Sequence, residues 1–170
     1  MIAMEIIEID VSERTRESAS DYAKKLGSLS RSITEGEGNA AGFVGKCAVA
    51  DFLEVKLVID SFNYNVMYGG RRAAIKTKRS KKYPEPDYEC SVTSDSAKRQ
   101  DCEIYIFVRV TPDLKKAWIL GWYPKLVYLK DAEFIKAGTV DVRNGFVAQL
   151  DCYSIEIAKL HPLKRYLIDV

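Results

Sequence analysis

The stretch from Arg71 to Lys82 carries seven basic residues in twelve (Arg71, Arg72, Lys76, Lys78, Arg79, Lys81 and Lys82) and no acid. A cationic stripe of this kind suits a polyanion, whose phosphates it can contact without reading a base. A lysine on a strand beside a hairpin, such as Lys76, also suits phosphodiester hydrolysis. There it positions or activates water, or steadies the charge that builds on the attacked phosphorus. The same chemistry needs two or three carboxylates to hold a magnesium ion, on adjacent strands where the sheet keeps their spacing rigid. Position 65, on the strand before the hairpin, is Asn, and position 74, two residues before the lysine, is Ala. The competing reading of the run is a solvated, lysine-rich surface.

The elements that must position Lys76 follow from periodicity. Phe62–Tyr68 alternates Phe62, Tyr64, Val66 and Tyr68 with Asn63, Asn65 and Met67, which predicts a strand. Gly69-Gly70 then turns the chain, and Arg72–Lys78 alternates again. Ala74, Lys76 and Lys78 fall on one face of that second strand, and Ala73, Ile75 and Thr77 on the other. The short turn brings Asn65 close to the 74–76 segment.

Around the hairpin, Met4–Ile9 reads as a strand. Ser12 caps a helix over Glu13–Leu26 that stops at Gly27. The loop 35–39 (EGEGN) lacks the lysine and hydroxyl of a phosphate-binding loop and leads into a helix over Ala40–Leu53, capped by Asn39. Small residues in that helix (Ala41, Gly42, Gly45, Ala48) permit close approach to a neighbour. Residues 83–86 (YPEP) form a loop and Thr93–Asp101 a short helix. Glu103–Val110, apolar at nearly every position, is a strand covered on both faces and pairs with Lys116–Tyr123 through a turn at 111–113. Residues 125–137 read as a weak helix and Gly145–Ser154 as a strand. Helices first and a mixed sheet after them indicate α/β or α+β architecture in one domain over residues 1–170.

Composition narrows the function. The net charge is +2, so with the basic run set aside the rest of the chain is acidic. The apolar stretches fall far short of the roughly 20 residues a membrane span needs, and the first ten residues do not have the form of a signal peptide. Cys47, Cys90, Cys102 and Cys152 are far apart, and His161 is the one histidine. That spacing favours free thiols in a reducing compartment over a zinc site, and leaves no Ser/His/Asp or Cys/His set to assemble. Tyr64, Tyr68 and Tyr83 flank the basic run and could stack bases, although strand tyrosines more often pack in cores.

Residues 27–53, 62–79, 88–92, 102–110 and 118–122 together resemble the PD-(D/E)xK nuclease superfamily, in particular its small phage-type members. The resemblance implies a restriction-endonuclease-like fold, a central mixed sheet flanked by helices, and Mg2+-dependent cleavage of DNA. It places the family's lysine on Lys76, its acid two residues earlier on Ala74, its aspartate on Asn65, and an acid of the early helix on Lys46. It leaves three readings open. The chain is a natural pseudonuclease, or its carboxylates were removed by substitution, or ligands migrated to Asp51, Glu54, Asp60 or Glu89. Under the first, Arg71, Arg72, Lys78, Arg79, Lys81 and Lys82 contact DNA phosphates and hydrolysis is lost. The alternative is a nuclease-fold protein that binds or inhibits a host protein through an apolar patch at Trp118, Trp122 and Tyr123. If phage-encoded, it would act in the host cytoplasm.

Overall fold

A computed structural model of the chain describes residues 4–26, 37–59, 61–142, 145 and 147–165. Its centre is a strand with no polar face. β5 (Ile104–Val110) is buried at all seven positions, because protein covers both of its sides. Its alternation sorts the core into two layers. Ile104, Ile106, Val108 and Val110 join one apolar cluster, and Tyr105 and Phe107 the other.

β5 lies third in a five-stranded sheet of order β1-β6-β5-β3-β2, formed with β1 (Ile7–Asp10), β2 (Val66–Tyr68), β3 (Arg71–Arg79) and β6 (Lys116–Pro124). β3 and β5 run parallel and the other pairs antiparallel, so the sheet is mixed. A parallel pair requires a crossover. Here it consists of β4 (Glu89–Thr93) and α3 (Ser94–Arg99), the latter capped by the Thr93 hydroxyl.

Two helices, α1 (Glu13–Leu26) and α2 (Glu37–Leu53), cover the Ile104/Ile106 side. The other side is closed by a second sheet of order β4-β8-β7, with β7 (Glu133–Ile135) and β8 (Cys152–Glu156), and by α3 and α4 (Lys125–Asp131). The architecture is α/β, a mixed sheet with flanking helices.

Ser12 caps α1 as expected, its hydroxyl accepting from the Thr15 N–H at 3.1 Å. The Gly69-Gly70 turn forms as read. Tyr68 pairs with Arg71, and both glycines have positive φ (57° and 74°), which a two-residue hairpin loop of this type demands.

Several boundaries differ. The first strand is Ile7–Asp10 rather than Met4–Ile9. α2 begins at Glu37, so Asn39 lies within it and is not its cap. The strand before the hairpin is Val66–Tyr68 and not 62–68, since β2 is an edge strand with one neighbour. The helix expected over 125–137 ends at Asp131. Ala132 turns extended and β7 follows, pairing with β8. The last strand is Cys152–Glu156 rather than 145–154. Gly27 and most of the 27–38 segment of the resemblance lie outside the described residues.

Candidate functional site

The site around Lys76 is assembled by one close approach and one hairpin. Gly45 of α2 sits directly on β3, where a Cβ at that position would fall 2.1 Å from Thr77 Oγ1. Only a glycine permits this approach. Lys46, the next residue, acts by its charge on Lys76. Across the hairpin, Asn65 Oδ1 accepts from the Ile75 N–H at 3.0 Å while the Asn65 N–H donates to Ala73 O at 2.9 Å. Of the positions singled out from sequence, Asn65 thus meets the strand at residues 73–75, between Ala74 and Lys76, and Lys46 bears on Lys76 through its charge.

What they carry is cationic or neutral. Lys76 is half-buried, and its ammonium donates to Gln100 Oε1 and lies 5.6 Å from the centre of the Tyr105 ring. Burial lowers its pKa to about 8, assisted by the charges of Lys125 and Lys46 and opposed by Cys102. Burial also lowers the pKa of Lys46. Lys125 is tied to the same place, donating to Gln100 O at 2.6 Å. Gln100 is oriented in turn by its Nε2, which donates to Phe62 O at 2.8 Å. Lys125, Gln100 and Tyr105 were not identified from sequence. Gln100 lies 24 residues from Lys76, and no local pattern signals such a contact.

These residues do not fit a magnesium ion. The Ala74 methyl is 1% exposed inside the apolar layer, with no donor to offer. Asn65 is buried, its oxygen serves the Ile75 amide, and its Nδ2 faces Val58 O at 3.5 Å. Two lysines with depressed basicity would repel a dication.

Of the migrated-ligand positions, Asp60 lies outside the described residues. Asp51 and Glu54 are exposed at the end of α2, where Glu54 takes the left-handed conformation (φ 56°) that closes the helix. Glu89 pairs with Lys78 at 2.7 Å. Among the described residues no group of three or more His, Cys, Asp or Glu could hold a metal ion.

The basic run is not one patch. β3 is nine residues long, so Arg71 and Arg79 stand about 26 Å apart. Arg72 is held by Asp101 at 2.7 Å and Glu103 at 3.6 Å, and Lys78 by Glu89. Arg71, Arg79, Lys81 and Lys82 are exposed.

Of the flanking tyrosines, Tyr64 and Tyr68 pack in the core, and Tyr83 is exposed with its edge against Trp118. The expected apolar patch does not exist as such. Trp118 and Tyr123 are buried and Trp122 is half-buried, because β6 lies between two layers. His161 is exposed and stacks on Tyr123 at 5.2 Å. All four cysteines are free, and burial raises their thiol pKa values, that of Cys90 to about 12. Among the described residues no helix is long and apolar enough to cross a membrane.

No family model matches this chain, and the comparison with curated proteins finds no match.

Proposed function

We propose that the chain is a nucleic-acid-binding protein of the PD-(D/E)xK nuclease type, acting on DNA, in which metal-dependent hydrolysis has been lost. The observation that carries this reading is that Asn65 docks on the 73–75 segment of β3 while Lys46 acts on Lys76, with no carboxylate among the described residues within ion-pair distance of Lys76. Lys46 and Lys125 both act by their charge on Lys76, and under this reading the three lysines would stand where such a nuclease seats its ion. A centre that would repel a cation is suited to a phosphodiester. The restriction-endonuclease-like fold is part of the same reading. Its support is the α2–hairpin–crossover–β5 order and the parallel β3–β5 pair.

Binding follows from charge. A phosphate oxygen at Lys76 would accept from its ammonium, and exposed Arg79, Lys81 and Lys82 extend the contact beyond the end of β3. The test is fluorescence anisotropy with labelled single- and double-stranded DNA across a salt series. Binding that weakens about 10-fold or more between 50 and 200 mM salt is the expected result. Absence of binding at low salt would overturn the reading.

The triple variant Lys46→Glu, Asn65→Asp, Ala74→Glu separates the scaffold from its charges. It should bind Mg2+, seen as a metal-dependent rise in Tm that the wild-type chain lacks. A revertant indifferent to divalent ions would remove the nuclease ancestry and leave the DNA result standing alone.

A second reading, a protein partner, is favoured by exposed Leu126 (83%) and Phe134 (51%) on α4 and β7. Under it, charge reversal at Lys81 and Lys82 is without effect on partner binding.

A further inference from the structure

Between the two sheets lies a cleft of about 410 Å³, separate from the exposed basic residues after β3. Phe107, Leu120 and Leu150 supply part of its largely apolar wall, and Lys76, Lys78, Glu89 and Arg109 its charges. Lys78 and Glu89 offset each other at 2.7 Å. Arg109 is different. It is 6% exposed, and one guanidinium nitrogen donates to the backbone oxygen of Glu89 at 2.9 Å. Its Cζ lies 5.0 Å from the centre of the Tyr88 ring, and its Nε is buried with no hydrogen-bond partner. Among the described residues no carboxylate lies within ion-pair distance of Arg109 or Lys76.

Glu89 acts on Arg109 only from beyond ion-pair distance and is itself engaged by Lys78. A buried guanidinium so weakly compensated is destabilising, and a buried donor without an acceptor adds to that. The other residues of β5 on the same face, Tyr105 and Phe107, are aromatic, and the contacts to Glu89 O and Tyr88 leave the Nε donor unused. The residue becomes intelligible if an anion completes it.

We propose that this cleft is a binding site for a small amphipathic organic anion, a carboxylate on an apolar body, with the carboxylate on Arg109. The volume is in the range of small-molecule sites, and a mostly apolar lining with a few polar groups is their usual form. The apolar wall disfavours a compact, fully hydrated anion such as inorganic phosphate. A single carboxylate can accept from Nε and leave the Glu89 contact intact. The proposal goes beyond nucleic-acid binding and does not rest on it. An Arg109→Met chain should keep its DNA affinity.

Isothermal titration of the full chain with decanoate, 1-decanol and inorganic phosphate tests it. Decanoate should bind with one-to-one stoichiometry, at least 10-fold more tightly than either comparison ligand. Arg109→Met should lose at least 10-fold in decanoate affinity and leave that for decanol unchanged. Equal binding of decanoate and decanol would reduce the cleft to a greasy surface and overturn the proposal, as would phosphate binding as tight as decanoate. Should Arg109→Met fail to melt cooperatively, Ala148→Leu provides the second arm by narrowing the cleft with Arg109 in place. A 10-fold loss of decanoate affinity is expected there too, and unchanged affinity counts against the site.

Discussion

Lys76 and Lys78 stand two residues apart on one strand, project from the same face, and live under opposite electrostatic conditions. Lys78 is partly exposed and meets Glu89 at 2.7 Å, an ordinary ion pair. Lys76 is half-buried against an amide oxygen and an aromatic face, with Lys46 and Lys125 acting on it and its basicity lowered. Identical side chains in identical secondary structure thus become a neutralised surface charge in one case and, among the described residues, an unneutralised centre in the other. What differs is the neighbours. Lys78 faces β4, which supplies an acid, and Lys76 faces the C-terminal end of α3 and the starts of β5 and α4, which supply Gln100, Tyr105 and Lys125. A basic run therefore counts as a binding surface only where the fold withholds carboxylates from it.

The largest effect should come from removing the approach that seats α2 on β3 beside Lys76. Gly45→Ala places a methyl group against Thr77 and should destabilise the protein by about 2–3 kcal/mol in denaturant melts. A neutral result would mean that α2 and β3 are not so closely apposed.

The next prediction uses the depressed pKa of Lys76. Between about 8 and its ordinary value of 10.5, the unfolded chain holds a proton at this residue that the folded chain has released. Its contribution to stability therefore rises with pH through that window. The buried thiols act in the opposite sense, so the comparison must be made against a variant. Lys76→Met should be more stable than wild type at pH 7, by on the order of 1–2 kcal/mol, and this advantage should shrink by pH 10. Anion affinity at the centre should fall over the same interval, as the ammonium is lost. A constant difference between the two chains from pH 7 to pH 10 would indicate an ordinary solvated lysine.

The smallest effect belongs to the paired lysine. Lys78→Ala should change stability by no more than about 0.5 kcal/mol, as expected of a partly exposed ion pair, and the change should diminish in high salt. A loss of several times that size would make the two lysines alike.

Much of the scaffold was legible. The two-period of 71–79 assigned Ala74, Lys76 and Lys78 to one face and Ala73, Ile75 and Thr77 to the other. The cores divide in that way, with Ala73 and Ile75 in one layer and Ala74 in the other. The unbroken apolar run of β5 announced burial on both sides. β7 was illegible because three residues carry no measurable period, and 125–137 reads as a helix until β8 offers its edge. Arg109 was in plain view as the one charge within IYIFVRV, a signal that such a position needs a partner.

From its residue order alone, this chain determined that a lysine would stand beside a glycine hairpin, with Asn at 65 and Ala at 74 near it. Those facts are local and need only the strand period and the turn. Which cations are neutralised was decided by tertiary structure. Asp101 and Glu103 reach Arg72 from the β5 side, Glu89 reaches Lys78 from β4, and no described carboxylate reaches Lys76 or Arg109. Coulomb energy depends on distance and dielectric, and both are properties of the packed layers rather than of spacing along the chain.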